Sequence, residues 1–217
     1  MTKVLLPLAL QEYAEHFTTQ EDEVLKELNE ETYEHIGRPH MLSGHLQGAL
    51  LQMLSCMIRP KRILEIGTYT GYAAICLAKG LSEDGVLHTI ELDENLKEIA
   101  QRYFAKAELQ DKIKQHIGKA ADIIPTLNET FDLVFIDADK KNYGLYYDLV
   151  FDKIPIGGII IADNVLFNGE VILPEQEQGK FAKAIHAFNE KLLNDNRVEQ
   201  VLLPVRDGIL IVRKLKN

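Results

Sequence analysis

Tryptophan is absent from the chain and cysteine occurs only at Cys56 and Cys76. Both thiols lie in apolar helical patterns and form no metal-like cluster, so a reduced, cytoplasmic protein is expected. No run approaches the ~20 apolar residues that span a bilayer. The apolar opening stretch carries Pro7 and no small-residue cleavage site, and does not read as a signal peptide. Basic residues are in deficit: 24 Lys and Arg against 33 Asp and Glu leave a formal charge of −9. A nucleic-acid footprint needs clustered cations to displace counterions from phosphate, and an anionic membrane needs them too, so neither partner is expected. The dinucleotide fingerprint G-x-G-x-x-G and the phosphate-binding loop with its Lys are missing as well. That disfavours a nicotinamide dehydrogenase.

What is present suits one well-buried domain: 217 residues, 46% hydrophobic and 26% charged. Residues 1–58 read as a helical extension. Val24, Leu25 and Leu28 mark an apolar stripe, with Thr18 or Thr19 as expected N-cap. Ser43 caps a second helix striped by Leu46, Leu50, Leu54 and Met57. From 59 to 217 the pattern becomes strand-like runs alternating with helical ones, which implies a parallel sheet covered on both faces. The tail breaks the alternation. "VEQVLLPV" and "GILIVRKL" flank a turn at Arg206–Gly208, so the last strand should run antiparallel. One α/β domain with a seven-stranded, doubly wound Rossmann-like sheet is the expectation.

In such sheets ligands sit at the carboxyl ends of strands, where the winding reverses. The first strand ends in "LEIGTYTGYAAI", with Gly67 and Gly71 able to bring backbone close to a ligand. Roughly twenty residues beyond such a joint a carboxylate can accept both ribose hydroxyls; here Glu91 stands near the end of the second strand. Gly joint plus carboxylate suggests adenosine, and the missing Gly argues against pyrophosphate. S-adenosylmethionine fits both. The fourth strand ends in "FIDADKKNY" and the fifth in "IIIADNVLFNG". Adjacent strands would bring Asp137 to Asp163 and Asn164, an all-oxygen site suited to Mg²⁺ or Ca²⁺. Lys140, three residues on, could remove a substrate proton if a nearby cation lowered its pKa. Lys141 reads as surface.

Together "LEIGTYTGYAAICLA", "IELDE", "FDLVFIDADKKNYGLYY", "GGIIIADNVLFNG" and "DGILI" resemble the cation-dependent O-methyltransferases of the caffeoyl-CoA and catechol type, over about Met41 to Arg213. The resemblance implies the class I methyltransferase fold, S-adenosylmethionine as methyl donor and a divalent cation, Mg²⁺ foremost with Ca²⁺ or Mn²⁺ as alternatives. Separately, the early helices carry more apolar surface than a peripheral helix needs, so they are expected to form a homodimer and close over the acceptor site. The resemblance places the metal on Asp137, Asp163 and Asn164. It assigns Met41, Ser43, Glu65, Gly67, Thr68, the Ala73 position, Glu91, Ala120 and Asp139 to the cofactor, with Asp137 shared, and Asn168 to the substrate. Two departures matter. Ala73 stands where relatives often have Ser, which removes one hydrogen bond to the cofactor's methionine end. No N-terminal Lys matches the plant enzymes' substrate contact, which favours a small free aromatic diol as acceptor. Lys140 is the expected base. The rival readings are a methyltransferase for RNA or protein and a non-catalytic adenosyl-ligand sensor. His35, His40 and His45 are expected to line an entrance or meet a partner, and residues 168–180 to form a substrate lid or a plain loop.

Overall fold

The structure is a computed structural model and describes residues 7–217. Three helices lead: α1 (Leu8–His16), α2 (Glu23–His35) and, after a short 3₁₀ turn at Pro39–Met41, α3 (Gly44–Ile58). Strands and helices then alternate: β1 (Arg62–Ile66), α4 (Tyr72–Ala78), β2 (Val86–Glu91), α5 (Lys97–Lys106), β3 (Ile113–Ile117), α6 (Ala120–Ile123), β4 (Leu133–Ile136), α7 (Tyr143–Phe151), β5 (Ile159–Asp163) and α8 (Lys180–Leu193). The hairpin β6 (Val198–Leu203) and β7 (Ile209–Lys214) closes the chain. The single sheet runs β3-β2-β1-β4-β5-β7-β6. Its first five strands are parallel, and β7 inserts antiparallel between β5 and β6.

The central strands are apolar on both faces because helices cover both. β4 shows the division most plainly. Val134 and Ile136 pack with Tyr147, Ile185 and Phe188 of α7 and α8. Leu133 and Phe135 pack with Leu51, Ile75 and Tyr103 of α3, α4 and α5. Since side chains alternate along a strand, Asp137 carries on the odd-numbered set. Asp163 likewise carries on from Ile161, and Glu65 from Ile63, so all three belong to the side covered by the N-terminal helices.

Local chemistry differs from expectation in the extension. α2 is capped by Asp22, whose carboxylate accepts from the Leu25 amide, while Thr18 Oγ1 turns back to the Ala14 carbonyl. Asp22 wins because it directly precedes the helix, where its side chain reaches an unpaired N–H. Ser43 occupies the cap position of α3 but its side chain makes no capping bond, its backbone being already helical. The buried face of α3 is Gln47, Gly48, Leu51 and Ser55, and Met57 is 74% exposed. The stripe is rotated because Gly48 lets the helix sit against Tyr72 of α4. Ion pairs fasten α2: Asp22 to Lys79, Glu27 to Lys106, Glu31 to Arg102. Among the described residues no helix is long and apolar enough to cross a membrane.

Candidate functional site at the carboxyl ends of β1, β2, β4 and β5

The winding reverses at β1, which pairs β2 on one side and β4 on the other. Gly67 makes the approach there possible. Its φ is +103°, and a Cβ on it would stand 1.9 Å from the Asp137 carbonyl oxygen. Its amide donates to Ile90 O at 2.9 Å, so the joint is tied to both neighbouring strands. Glu91 holds the same joint, accepting from the Tyr69 amide at 2.7 Å and the Asp93 amide at 2.9 Å. Each carboxylate oxygen keeps a second lone pair for a ligand.

Glu65 is fully buried. One of its oxygens accepts from Thr89 Oγ1, which in turn shares a hydrogen bond with Thr68 Oγ1 at 2.5 Å; Oε1 has no partner. Burial pushes its carboxyl up to about 8, against the Thr89 hydrogen bond, and the charges of Asp137 and Glu91 add to the rise. A buried acceptor left empty beside a Gly joint fits a cationic ligand group such as the ammonium of a bound amino-acid moiety. Ala73 and Ala120 are buried at the first turns of α4 and α6, Thr68 and Ser43 are buried nearby, and Met41 is exposed. Asp139 is exposed and tied to α7, accepting from Tyr146 Oη and, at 2.6 Å, from Asn142 Nδ2.

The second cluster joins β4 to β5. Ile136 lies opposite Ala162, so the next residues, Asp137 and Asp163, fall side by side. Asn164 turns with φ 58°, a left-handed conformation that Asn tolerates better than most residues. Lys140 Nζ donates to Asp137 Oδ1 at 2.8 Å, Asn164 Oδ1 at 2.5 Å and Tyr143 Oη at 2.7 Å. Tyr143 Oη donates on to the Asp163 carbonyl at 3.0 Å. Asp163 is 3% exposed. Burial and the neighbouring Asp137 charge push its carboxyl up, with Lys140, Gln47 and Arg206 opposing. Burial alone would favour a neutral Lys140 amine, but Asp137, Tyr143 and Asp163 favour the ammonium and win, so its pKa is raised. A cation is thus already seated on two of the three donors. Two carboxylates and an amide oxygen, with no sulfur or imidazole among them, fit a hard divalent cation.

Asn168 also has a left-handed backbone, φ 54°, and its amide donates to Asp207 of the β6–β7 turn. The following segment folds down: Val171 is buried, and Gln178 Nε2 donates to the carbonyls of Val171 and Leu173 at 3.2 and 2.8 Å. The three histidines do not gather. His45 Nε2 meets the Thr19 carbonyl at 2.7 Å, and His35 lies by Glu34. Four residues at the site had no forecast role: Gln47, Thr89, Tyr143 and Arg206. Gln47 alone left a signal, as an amide inside an otherwise apolar helical run.

A model described as O-methyltransferase matches residues 15–215. The chain belongs to the O-methyltransferase family. It is 34% identical over 208 residues to "Probable caffeoyl-CoA O-methyltransferase 1" of Dictyostelium discoideum, covering 94% of this chain and 90% of that one. Among solved structures it resembles the O-methyltransferase TomG of Streptomyces achromogenes in complex with SAM, with TM-score 0.86, 30% identity and coverage of 95% and 96%. An O-methyltransferase of Bacillus cereus in complex with SAH gives TM-score 0.85, 32% identity and coverage of 95% and 97%. The expected class I methyltransferase fold is present, down to the antiparallel β7. This O-methyltransferase uses S-adenosylmethionine. The Gly67 joint and the Asp137–Asp163 cluster lie at the same end of its sheet.

Proposed function

We propose that this O-methyltransferase methylates one of two vicinal hydroxyls on a small aromatic acceptor, catechol-like or phenylpropanoid, with a divalent cation on Asp137, Asp163 and Asn164. The observation that carries the reading is that one lysine ammonium bridges Asp137 and Asn164 at the ends of neighbouring strands, with the Asp163 carboxylate beside them. Such a cation, Mg²⁺ foremost with Ca²⁺ or Mn²⁺ as alternatives, supplies Lewis acidity that makes a phenolic hydroxyl easier to ionise.

The chain's own groups do the rest. Glu65, Gly67, Thr68, Glu91 and Asp139 hold the methyl donor, with Met41, Ser43, Ala73 and Ala120 shaping its surroundings. Lys140 Nζ is the proton acceptor. What keeps a proton on it is the charge of Asp137 and Asp163; when that charge is drawn elsewhere, burial favours the neutral amine. Tyr143, bonded to Nζ and to the Asp163 carbonyl, limits where the amine can point. Asn168, held through its backbone by Asp207, faces the acceptor. Positioning supplies most of the rate.

The reading extends to a homodimer, supported by Leu8, Leu10, Tyr13 and Phe17 standing exposed on and just after α1. Sedimentation of the full chain tests that part. It extends also to a cytoplasmic location, in keeping with free thiols at Cys56 and Cys76. The activity is tested by methyl transfer to a panel of catechols and phenylpropanoids, with Mg²⁺ and then with a chelator. Turnover that needs the metal and fails in Asp137→Ala and Asp163→Ala is expected. Undiminished activity of either variant in metal-free buffer would sink the reading, as would methylation confined to RNA or protein.

A further inference from the structure

We propose that Gln47 is a positioning residue for the cation site: its amide aims the Asp163 carboxylate, and Arg206 fixes which way that amide faces. The inference rests on the cation reading above. Asp163 and Gln47 are both buried, and Gln47 Nε2 donates to Asp163 Oδ2 at 2.7 Å across 116 residues of chain. The other carboxylate oxygen, Oδ1, accepts from the Asn164 amide at 2.7 Å. Both oxygens are therefore oriented, and each retains a lone pair for a cation.

A glutamine can present either its oxygen or its nitrogen, and the wrong choice would set two acceptors against each other. Arg206 removes the ambiguity because a guanidinium only donates. Its Nη1 lies 3.3 Å from Gln47 Oε1 and 3.0 Å from the Leu42 carbonyl. With Oε1 so engaged, Nε2 is left to face Asp163. Arg206 itself has φ 49°, a left-handed conformation that a side chain makes costly and that glycine adopts freely. The strain is retained where the guanidinium reaches the α3 amide.

The donor's chemistry suits the task. Lysine or arginine at position 47 would neutralise Asp163 and compete with a divalent cation. An amide orients the carboxylate and leaves its charge in place. Outer partners of this kind typically contribute about 10–100-fold to metal affinity. The contact also links distant parts of the fold, since Arg206 grips the backbone of Leu42 between Met41 and Ser43.

The test is Mn²⁺ binding by calorimetry to the full-length protein and to Asp163→Asn, Gln47→Met and Arg206→Gly, with S-adenosylhomocysteine affinity measured in parallel. Wild type should take up one Mn²⁺ and Asp163→Asn should lose it. Gln47→Met should weaken Mn²⁺ binding by about 10–100-fold, and Arg206→Gly by about 3–10-fold, with S-adenosylhomocysteine affinity within about threefold of wild type. Arg206→Gly relieves backbone strain, so it decides the matter if Gln47→Met fails to fold. Mn²⁺ affinities within about twofold of wild type in the folded variants would overturn the proposal while leaving the cation reading intact. Parallel loss of Mn²⁺ and S-adenosylhomocysteine binding would overturn it as a general disturbance of the fold. A wild type that binds no Mn²⁺ would remove the cation reading itself, and this proposal with it.

Discussion

Gly67 packs against the main chain of Asp137 so closely that a Cβ on the glycine would stand 1.9 Å from that residue's carbonyl oxygen. The contact welds the glycine joint after β1, proposed to hold the cofactor, to the residue proposed to begin the cation site after β4. Gly67→Ala must push the two strand ends apart, and it must also hold alanine at a φ of +103°. A loss of about 2 kcal/mol or more in unfolding free energy is expected, with S-adenosylhomocysteine binding weakened at least about tenfold. Urea denaturation and calorimetry measure both. An alanine variant with wild-type stability and affinity would show that the strand ends can part freely.

Lys140→Met separates proton transfer from binding. The methionine fills similar space and cannot accept a proton. A fall in kcat of about 10²–10⁴-fold is expected, the usual range for a general base. Mn²⁺ affinity should hold or rise, because Nζ no longer occupies Asp137 and Asn164. A variant that keeps more than about a tenth of wild-type kcat would assign the proton to another acceptor.

Glu65 should make the cofactor-free protein less stable as pH rises. Its carboxyl is raised in the fold to about 8 by burial, so the contribution is fully present below the ordinary carboxylate range. It is lost as pH climbs through about 8, at a slope of up to about 1.4 kcal/mol per pH unit. Urea midpoints compared at pH 6 and pH 8.5 should fall for wild type and fall less for Glu65→Gln. Equal slopes in the two proteins would mean that Glu65 is ionised throughout.

Acid should act through a different pair. His88 Nδ1 and His116 Nε2 lie 2.9 Å apart on β2 and β3, with the rings stacked at 5.2 Å. Burial lowers both pKa values, helped by His116 at His88 and by Lys114 at each, while Glu129 pulls His88 the other way. A depressed pKa means stability that is present above the unfolded value near 6.5 and lost as pH falls through the folded one. Thermal unfolding from pH 7.5 to pH 5 should show this decline in wild type and a shallower one in His88→Gln. The reverse order would place the acid sensitivity elsewhere.

Much of this was legible because the signals are local. Alternating runs announce the strands and helices, and "FIDADKKNY" and "IIIADNVLFNG" carry their charges at strand ends, where a parallel pairing brings them together. Gln47 and Arg206 escaped because each acts only through long-range partners. An amide in an apolar helix pattern looks like a break in the stripe, and an arginine in a hairpin turn looks like surface. The His88–His116 pair is hidden for the same reason: it depends on the register of β2 against β3. Asp22 is hard to single out as the cap from sequence because Thr18 and Thr19 are capping types as well, and the choice depends on where the first turn of α2 begins.

The insertion of β7 between β5 and β6 has a consequence for how the protein comes into being. Synthesis delivers β5 with Asp163 and Asn164 well before Arg206 and Asp207, which are made just ahead of β7, the strand that flanks β5. Until the C-terminal hairpin docks, Asp163 has its α3 partner without the guanidinium that orients it, and Asn168 lacks its anchor. A ribosome-bound chain therefore carries its glycine joint early and gains the contacts of Arg206 with Gln47 and of Asp207 with Asn168 only later.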